Sequence, residues 1–577
     1  MDKIIDLIND ENWEEAAECI YTYTSEGKYN DKLAILAATV HTHFGDSKSV
    51  LLNIEAGLEY NYKNYELYLM LGDYYADKNA NQAYLCYENA EYFCRQNGSA
   101  EDLAIISEAK AFLSQMHTIT VRPYSFVILS YNTLDLLKLC IKSIRLYCHP
   151  DTYELVVIDN ASHDGSVEWL REQKDIILIE NSENAGFPAG CNQGVAAAAK
   201  DNDIMFLNSD TVMTPNAMFT LRMGLYESEK NGQAGSVTNY AGNHQVISET
   251  FDDIEDYILY AAKNNIPREH ASEYKTFLIG FALLSRRSAL EQVGLFDERF
   301  TPGNLEDTDL GTRFLQHGYR NVLCWNSFIY HLGSQGFQNE HYAALITNNR
   351  KKYEQKWGFD PGYFNSVRNS LIKHISHDFT SPICVLEVGC ATGSTLGRIQ
   401  YLYPNSQVHG IELNETVAAL GAASFDIICG NIESIELPYQ TNFFDYIIFG
   451  DVLEHLTWPG AVLERLKPYL KENGAILASI PNIMHAEVIY DLLQGRFPYE
   501  AAGIRDRTHL RFFTKEECIN LFTNAGYRVE KTESMELLGC TTAEYHPEFF
   551  DRLFAIDGVA ERIQFDTYQW FVKAVKQ

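Results

Sequence analysis

The chain has 577 residues, too many for a single hydrophobic core, so we expect about two to four domains. Hydrophobic residues make up 46% of the chain and charged residues 21%, a composition that can bury several cores and is not typical of disorder. The formal net charge of -32 argues against a nucleic-acid partner, because proteins that bind nucleic acid neutralise phosphates with lysine and arginine.

The N-terminal residues Met1 to Asp6 lack the basic and apolar segments of a signal peptide. No uninterrupted apolar run is long enough to predict a transmembrane segment. The 12 cysteines are scattered without Cys-x-x-Cys spacing, which is typical of reduced thiols. We therefore expect a cytoplasmic enzyme, and peripheral contact with the inner face of the membrane stays open.

Residues 1–118 show only helical periodicity and are predicted to form an all-α helical repeat module, with breaks near Gly27, Gly45 and Asn97-Gly98. One stretch follows the tetratricopeptide spacing of a helix pair, through Tyr68, Leu71, Gly72, Tyr75, Ala83, Tyr87 and Ala90. A docking surface for a protein partner and a simple packing domain fit this pattern equally well.

From Tyr124, short apolar strands alternate with amphipathic helices, which predicts a mostly parallel α/β sheet within residues 119–370. The predicted strands are 125–129, 155–158, 176–179 and 204–207. Asn132 is expected to cap the helix that follows the first strand. Open α/β sheets bind ligands beyond the carboxyl ends of their strands, where Asp159 and Asp210 fall.

Several polar and glycine residues near these strand ends could form a site for an anionic ligand. A carboxylate at Asp210 would be costly unless a positive charge met it, and a divalent cation on a diphosphate would do so. The polar segment after Asp159 fits an ordinary turn as well as it fits part of a ligand site. Gly186 and Gly190 permit close backbone approach before a helix.

Acidic residues recur about a hundred residues later, where Glu306, Asp307 and Asp309 open a predicted helix. Acids are also common in the first turn of a helix for electrostatic reasons alone. His331 could complete a metal site, although a lone histidine is more often structural.

In this order, from about Tyr124 to Phe337, the motifs resemble the family-2 inverting glycosyltransferases with the GT-A (Rossmann-like) fold, in particular a bacterial rhamnosyltransferase-like branch. The resemblance implies a UDP- or dTDP-sugar donor whose base contacts Asp159, and Mg2+ or Mn2+ held by Asp210, with His331 as the second candidate ligand. Asp307 would be the catalytic base, with Glu306 and Asp309 placing the acceptor or supporting the loop. The residues expected to bind the nucleotide sugar are Ser130, Tyr131, Asn132, Asp159, Asn160, Ser162, Asn184, Gly186, Phe187, Gly190, Asn192, Asn208, Ser209 and Asp210. The family's usual Asp-x-Asp is here Asn208-Ser209-Asp210, which leaves the metal one fewer carboxylate.

A second α/β series begins at Ile383 and predicts a separate nucleotide-binding sheet within residues 371–577. Its first strand runs into a glycine turn between Gly389 and Gly393, a weak signal by itself. Glu412 ends the next strand, about twenty residues on, where an acid can bind both ribose hydroxyls.

This second set resembles the class I, Rossmann-like methyltransferases that depend on S-adenosylmethionine, over about residues 380–577. The resemblance implies that the cofactor is bound by Glu387, Gly389, Ala391, Gly393, Glu412, Leu413, Asn431, Ile432 and Asp451. Ala391 replaces the usual middle glycine, and Asn431 stands where an aspartate is more usual. His455 and His509 are candidates for the base that accepts the acceptor's proton, and structural roles fit them equally well. An NAD-binding dehydrogenase shares this fold and is the structural rival.

We therefore expect a bifunctional enzyme that transfers a sugar to a glycan or glycoprotein and O-methylates a sugar hydroxyl, in bacterial surface polysaccharide synthesis or protein glycosylation. One alternative is a scaffold with a single active domain, and another is a methyltransferase acting on a non-sugar acceptor. The sequence does not identify the sugar, the linkage, the methylated hydroxyl or the oligomeric state.

Overall fold

The computed structural model describes residues 1–333, 340–537 and 539–577; Phe337, where the resemblance ends, lies outside them. The chain divides into two compact units, Met1–Pro361 and Gly362–Gln577. The predicted fold class is confirmed: a helical region is followed by two α/β sheets in succession. The domain limits at residues 118 and 370 stay predictions. Among the helices that the structure describes, none has the length and apolarity needed to cross a membrane.

Residues 1–118, all of which are described, form successive helices that pack against their neighbours in the chain. Their bounds are α1 (Asp2–Asn9), α2 (Trp13–Ser25), α3 (Asp31–His43), α4 (Ser47–Tyr60), α5 (Tyr65–Ala76), α6 (Ala80–Asn97) and α7 (Ala100–Met116). The breaks predicted at Gly27 and Gly45 are confirmed, and both glycines have a left-handed backbone.

The pair α5 and α6 shows why the repeat spacing needs a glycine. A Cβ on Gly72 would lie 2.2 Å from Cε1 of Tyr87, so a larger residue would push the two helices apart. The Tyr87 hydroxyl donates a hydrogen bond to Asp73 across the pair (2.7 Å). The predicted close approach of these helices is confirmed, whereas the tetratricopeptide assignment stays a prediction.

Within the described residues of the first unit, an eight-stranded sheet has the order β3-β2-β1-β4-β8-β6-β9-β7. The strands are β1 (Tyr124–Ser130), β2 (Tyr153–Asp159), β3 (Ile176–Glu180), β4 (Asp203–Asn208), β6 (Asn231–Val237), β7 (Ser272–Lys275), β8 (Ala282–Ser285) and β9 (Arg320–Phe328). A separate antiparallel pair consists of β5 (Thr211–Val212) and β10 (Tyr330–His331). The four predicted strands are confirmed and are mutually parallel. The other half of the sheet is mixed, because β7 and β8 run antiparallel to their neighbours.

Helices cover this sheet and connect its strands. They are α8 (Leu134–Tyr147), α9 (Ser166–Arg171), α10 (Phe187–Ala197), α11 (Ala217–Leu225), α12 (Ile254–Asn264), α13 (Arg287–Val293), α14 (Glu306–Gln316) and α15 (Glu340–Trp357). The prediction that Asn132 caps α8 is wrong, because the helix begins at Leu134 and the Leu134 N–H donates to Asp164 instead (2.8 Å). Asn132 has a left-handed backbone, and its side chain accepts a hydrogen bond from the His163 N–H (2.8 Å).

The helical region and the first sheet share one hydrophobic core. Tyr68 is fully buried, its ring lies edge-on to Phe219 at 5.4 Å, and its oxygen accepts a hydrogen bond from Asn216 (2.5 Å). Buried Arg222 of α11 pairs with Glu88 of α6. The face of the predicted repeat that carries Tyr68 is therefore covered by α11 of the same unit.

In the second unit, the described strands form a seven-stranded sheet of order β13-β12-β11-β14-β15-β17-β16. They are β11 (Cys384–Val388), β12 (Gln407–Glu412), β13 (Asp426–Cys429), β14 (Phe444–Gly450), β15 (Leu470–Pro481), β16 (Tyr527–Glu536) and β17 (Thr567–Lys576). The helices are α16 (Pro361–Phe364), at the division between the units, α17 (Asn369–Ile372), α18 (Ser394–Leu402), α19 (Glu415–Gly421), α20 (Pro459–Leu466), α21 (Ala486–Leu493), α22 (Lys515–Asn524), α23 (Pro547–Phe554) and α24 (Arg562–Asp566). β17 lies between β15 and β16 and is antiparallel to both, whereas dinucleotide-binding folds have the order 3-2-1-4-5-6. This topology disfavours the dehydrogenase rival.

Candidate active sites

The first candidate site lies at the carboxyl ends of β2, β1 and β4. Ser130 is paired in register with Asp159, and Leu129 with Asn208, so the polar residues that end these strands lie side by side. The strand order of the sheet reverses at β1, which is the position where open α/β sheets bind ligands. The sheet thus brings together residues that are up to eighty positions apart in the chain.

Asp159 presents an unused acceptor at this edge. Its side chain is fully buried, and Oδ1 accepts a hydrogen bond from the Ser162 N–H (2.8 Å). Its Oδ2 is also buried but has no hydrogen-bond partner in the described structure. A buried carboxylate oxygen without a partner is costly, so this atom is suited to accept a hydrogen bond from a ligand.

Neighbouring polar residues shape the rest of this edge. The Ser130, Thr133 and Ser209 hydroxyls form a chain with oxygen separations of 3.3 and 3.2 Å. The Ser162 hydroxyl accepts from the Asn132 N–H (2.9 Å), while Tyr131 is exposed.

The glycine segment between β3 and α10 contacts the loop that precedes Asp307. A Cβ on Gly186 would lie 2.8 Å from Cγ2 of Thr301, and the Phe187 N–H donates to Pro302 O (2.8 Å). The Asn184 side chain accepts from the Gly186 N–H (2.9 Å) and from Asn160 (3.1 Å). This segment therefore holds the loop between β3 and α10 against the loop that precedes Asp307.

Two other residues predicted to bind the nucleotide sugar contact neighbouring parts of this chain. A Cβ on Gly190 would lie 2.3 Å from the Leu129 side chain, so this glycine lets α10 pack against β1. Asn192 donates to Phe296 O (2.9 Å) and to Glu298 (3.0 Å), which ties α10 to the following loop. Their contribution to donor binding stays a prediction.

Asp210 and His331 form a pair that the sequence could not establish. Strand β10 pairs His331 with Thr211, and His331 Nε2 lies 3.3 Å from Asp210 Oδ1. His331 Nδ1 lies 2.9 Å from Tyr240 O, so Nδ1 donates its proton there and Nε2 faces Asp210. Burial by itself lowers the pKa of His331, but the Asp210 carboxylate outweighs it and the net pKa is raised. A carboxylate oxygen and an imidazole nitrogen in this arrangement fit a divalent cation.

Asp307 is connected to this pair through two consecutive residues. Its Oδ2 accepts from the Gly280 N–H (2.9 Å) and its Oδ1 from the Thr308 N–H (2.6 Å). The next residue, Phe281, accepts from the Asn208 N–H (2.9 Å), and its ring stacks on His331 at 5.2 Å. Asp307 and the Asp210–His331 pair therefore border the same end of the sheet.

The pKa of Asp307 is raised by burial, although hydrogen bonds from Gly280 and Thr308 oppose the shift. Burial also raises the pKa of its neighbour Glu306, whose Oε2 is buried without a hydrogen-bond partner in the described structure. A carboxyl group whose pKa is raised towards neutrality is suited to accept a proton.

Asp309 is fully buried and faces helix α15. It pairs with Arg313 (2.9 Å) and Lys356 (2.6 Å), and it accepts a hydrogen bond from the Trp357 indole (2.9 Å). Of its two predicted roles, these contacts favour support of the loop over placement of the acceptor.

Sequence reasoning missed Asn349, which lies on the polar helix α15 and is fully buried. Its amide donates to the backbone oxygens of Phe300 (3.0 Å), Gly303 (2.9 Å) and Asn304 (3.1 Å). It thereby holds the loop before Asp307, in which Leu305 adopts a left-handed backbone. No local pattern marks an asparagine with this role.

The second candidate site surrounds the turn after β11. The Gly389 N–H donates to Ile411 O (2.8 Å), and the Ala391 N–H donates to Glu412 Oε2 (2.9 Å). A Cβ on Gly393 would lie 2.4 Å from Phe425, and its φ of +86° also requires glycine. Ala391, which stands where a glycine is usual, adopts the left-handed backbone conformation that glycine favours.

Other predicted cofactor residues lie around the same sheet edge. Asn431 Oδ1 accepts a hydrogen bond from the Glu433 N–H (2.8 Å), and its second lone pair can still accept from a ligand. Ile432 is buried, whereas Leu413 is exposed.

Arg368 also belongs to this site, although it precedes the predicted domain start at residue 371. Its guanidinium pairs with Asp451 (2.7 Å), which also accepts from Ser479 (2.7 Å) and Gln569 (2.8 Å). The positive charge of Arg368 also acts on Glu387. No motif in the sequence marks this arginine, since only the fold brings it to the end of β14.

Glu387 carries a strongly perturbed carboxyl group. Burial raises the pKa of Glu387 to about 8, while Thr395 and Arg368 oppose the shift. Its Oε2 is buried without a partner in the described structure. The site can therefore accept a cationic group from a ligand, as the methionine end of S-adenosylmethionine would supply.

Replacing Glu387 by Gln should separate stability from binding. Since the folded-state pKa lies above the ordinary 4.5, this carboxyl makes the fold less stable as pH rises from about 4.5 to about 8. Glu387→Gln stays neutral, so its Tm should exceed that of the wild type at about pH 8, with the difference vanishing near pH 4.5. Affinity for S-adenosylmethionine should fall in the same variant.

Calorimetry of the full chain at both pH values, with titration of the cofactor, measures these effects. The exposed residue Glu464 provides the matched Gln control. A Tm difference that does not depend on pH would contradict the assigned cost of burying this carboxylate.

Close to Asp451, the 3-10 turn Leu453–His455 carries Glu454 and His455. The His455 ring lies 4.7 Å from the His509 ring, so the two histidines predicted as alternative bases are adjacent. Burial raises the pKa of Glu454 and lowers that of His509.

Two separate parts of the chain match known families. Residues 125–294 match the family described as Glycosyl transferase family 2, and residues 363–532 match the one described as Methyltransferase domain.

Curated relatives match only parts of this chain. The Poly(ribitol-phosphate) beta-glucosyltransferase of Bacillus spizizenii is 26% identical over 139 residues, 23% of this chain and 22% of that protein. The Poly-beta-1,6-N-acetyl-D-glucosamine synthase of Staphylococcus aureus is 24% identical over 213 residues, 35% of this chain and 49% of that protein. The Malonyl-[acyl-carrier protein] O-methyltransferase of Geobacter sulfurreducens is 23% identical over 186 residues, 32% of this chain and 67% of that protein. The chain thus spans less than half the length of the two glycan-related proteins.

Solved structures give similar partial matches. GalNAc-T7 with UDP, GalNAc and Mn2+ is 12% identical, with a TM-score of 0.34, covering 42% of this chain and 49% of that one. A SAM dependent methyltransferase from Archaeoglobus fulgidus is 17% identical, with a TM-score of 0.27, covering 39% of this chain and 99% of that one.

Proposed function

We infer that this chain, which joins a family 2 glycosyltransferase domain to an S-adenosylmethionine-dependent methyltransferase domain, transfers a sugar from a UDP or dTDP donor to a glycan or glycoprotein and methylates a sugar hydroxyl. One observation carries the sugar-transfer half. The unpartnered Asp159 oxygen, the Asp210–His331 pair and Asp307 lie around one end of one sheet. We place the activity in bacterial surface polysaccharide synthesis or protein glycosylation, in the cytoplasm.

Each group in the first site has a distinct part in this proposal. Asp159 Oδ2 would accept a hydrogen bond from the imide of the nucleotide base, and this buried oxygen would then have a partner. Asp210 and His331 would hold Mg2+ or Mn2+, which when bound would neutralise charge on the leaving diphosphate.

Asp307 would act as the base for sugar transfer. An acceptor hydroxyl gives its proton to Asp307 while its oxygen forms a bond to the anomeric carbon. The bond from that carbon to the nucleoside diphosphate breaks on the opposite face, so the anomeric centre inverts. Hydrogen bonds from Gly280 and Thr308 hold both carboxylate oxygens and orient the base before the acceptor binds.

The second site would bind S-adenosylmethionine, which supplies the methyl group. Glu412 would bind the ribose hydroxyls, and Glu387 would face the cationic methionine end. A sugar hydroxyl is the proposed acceptor because fusion raises the local concentration of one site's product near the other, provided the geometry allows transfer. A second candidate is a carboxyl or other non-sugar acceptor, which the name of the malonyl-carrier methyltransferase relative suggests.

A panel of nucleotide sugars incubated with Mn2+ and the purified chain tests the first activity through release of the nucleoside diphosphate. We expect one donor to be cleaved in a metal-dependent reaction. His331→Ala should raise the Mn2+ concentration needed for half-maximal activity by roughly 10- to 100-fold, since it removes one ligand of the cation. His317→Ala, an exposed histidine of the same unit, serves as the control.

Metal-independent cleavage, or an unchanged Mn2+ requirement in the His331 variant, would argue against the proposed cation site. The glycan product of this reaction should then accept a labelled methyl group from S-adenosylmethionine. Methylation of the starting acceptor but never of the product would separate the two activities.

A further inference from the structure

Three side chains in the methyltransferase unit form a group that the proposed function does not use. One ligand atom from each of Glu454, His455 and His509 lies within 4.8 Å of the others. Two imidazoles and one carboxylate are a common ligand set for divalent transition metals in proteins.

Glu454 is buried, and the positive charge of Arg368 offsets the cost of that burial only in part. The Glu454 side chain is 1% exposed, and neither carboxylate oxygen has a hydrogen-bond partner in the described structure. The nitrogen nearest to it in the group, His509 Nε2, is 3.9 Å from Oε1, beyond hydrogen-bond distance. Burying an ionised carboxylate in this way is costly unless a cation meets it or the group takes up a proton.

Both histidines are held in the orientation and tautomer that metal ligands need. His509 Nδ1 lies 3.0 Å from Ile504 O, so it donates its proton there and the lone pair of Nε2 faces Glu454. His455 Nδ1 lies 3.1 Å from the Thr508 hydroxyl and 3.3 Å from Thr508 O. Because that hydroxyl donates its own proton to Asp506, both oxygens accept from Nδ1, which favours the same tautomer. Metal-binding histidines characteristically donate their other ring N–H to a carbonyl in this manner.

The backbone connects the two segments that carry these ligands. The Leu510 and Arg511 N–H groups both donate to Glu454 O (2.9 and 3.0 Å). Asp506 accepts hydrogen bonds from the Thr508 N–H (2.8 Å) and hydroxyl (2.6 Å), which fixes the loop that orients His455. The group is therefore preorganised by contacts that do not involve the ligand atoms themselves.

We propose that Glu454, His455 and His509 bind a divalent transition-metal cation, and that this cation coordinates a hydroxyl oxygen of the methyl acceptor. Three protein ligands leave coordination positions open for a substrate oxygen. Ligand atoms around such a cation lie about 3 to 3.5 Å apart, given metal–ligand distances of about 2.1 Å, so modest side-chain rotations would close the group.

The position of the group explains what the cation would do. Asp451, a predicted cofactor residue, is three positions before Glu454 and begins the same connection after β14. A hydroxyl bound to the cation would have a lowered pKa and would release its proton to water. Its oxygen would then bond to the methyl carbon as the bond between that carbon and the sulfur of S-adenosylmethionine breaks. This part rests on the proposed methyl transfer, whereas cation binding does not.

Cobalt titration of the full chain tests cation binding directly. We would use the Asp210→Asn variant, which weakens the first candidate cation site, after treatment with a chelator. We expect one equivalent of Co2+ to bind and to give visible absorption bands of an imidazole-ligated ion. His455→Gln and His509→Gln should each weaken this binding by at least about 10-fold, and His546→Gln, an exposed histidine of the same unit, should not.

Thermal melting distinguishes variants that lose the cation site from variants that fail to fold. Co2+ should raise the Tm of the Asp210→Asn parent and of the His546 control, but not of the His455 and His509 variants. Absence of the bound equivalent in the parent, or an unchanged spectrum in both histidine variants, would overturn the cation site.

Methyl transfer tests the role of the cation. Removing the metal should lower methyl transfer by at least about 100-fold while S-adenosylmethionine binding stays unchanged, and adding it back should restore transfer. Transfer that persists at full rate without metal would overturn acceptor coordination and leave Glu454 and the histidines as a proton-accepting group. If no acceptor is ever methylated, the proposed function fails, but the cobalt titration still decides the cation site.

Discussion

Asp307→Asn should lower the turnover of sugar transfer by about 1,000-fold, because the amide cannot accept the acceptor's proton. Affinity for the nucleotide sugar should stay within about twofold of wild type, since Asp307 as the proposed base would contact the acceptor rather than the donor. Single-turnover rates together with donor titration by calorimetry separate these two quantities. Full turnover in this variant would refute the assignment of the base.

The pH dependence gives an independent check on the same residue. Burial raises the pKa of Asp307 above the ordinary 3.8, so the active, deprotonated base is lost as pH falls through that raised value. The acid limb of kcat/KM should therefore lie above the range of an ordinary aspartate, and the Asn variant should lack it.

Asp309→Asn is the matched control two residues away. Asp309 is fully buried and is paired with Arg313 and Lys356. Its replacement should destabilise the fold by about 3 to 5 kcal/mol, because Arg313 loses its carboxylate partner and Lys356 keeps only Asp297. We therefore expect a larger fall in Tm from Asp309→Asn than from Asp307→Asn, whose amide NH2 would face only one of the Gly280 and Thr308 N–H donors.

Glu412→Gln should weaken S-adenosylmethionine binding by about 100-fold and leave sugar transfer unchanged. The carboxylate is oriented by the N–H groups of Ala391 (2.9 Å) and Asn414 (2.8 Å), and a glutamine must turn its NH2 towards one of these donors. Two charge-assisted hydrogen bonds to the ribose would weaken as well.

Equilibrium binding of the labelled cofactor to the full chain measures the loss. Glu415→Gln, at the exposed start of α19, is the control that keeps the total charge change the same. Equal cofactor affinity in the Glu412 and Glu415 variants would remove Glu412 from the ribose site.

Local patterns in the sequence were sufficient for much of the fold. The four parallel strands of the first sheet and the glycine turn after β11 follow from apolar runs bounded by polar residues, and the structure confirms them. The mixed half of the sheet did not follow. Strands β7 and β8 have only four residues each. In β7 the buried positions hold an ion pair between Glu273 and Lys275 (2.7 Å), so its sequence lacks the apolar alternation that predicts a strand.

By itself, the sequence determined which residue types stand at the carboxyl end of each strand, because strand ends and turns are local properties of a short segment. It therefore identified Asp159, Asp210, Asp307 and Glu412 as candidates.

Only the tertiary structure decided which of these groups face one another. The pairing of β10 with β5 brings His331 to Asp210, and the fold brings Arg368 to Asp451 across more than eighty positions. It also decided that Tyr68 of the helical region is buried against the first sheet. Such contacts depend on strand register and packing between distant segments, which no short stretch of residues encodes.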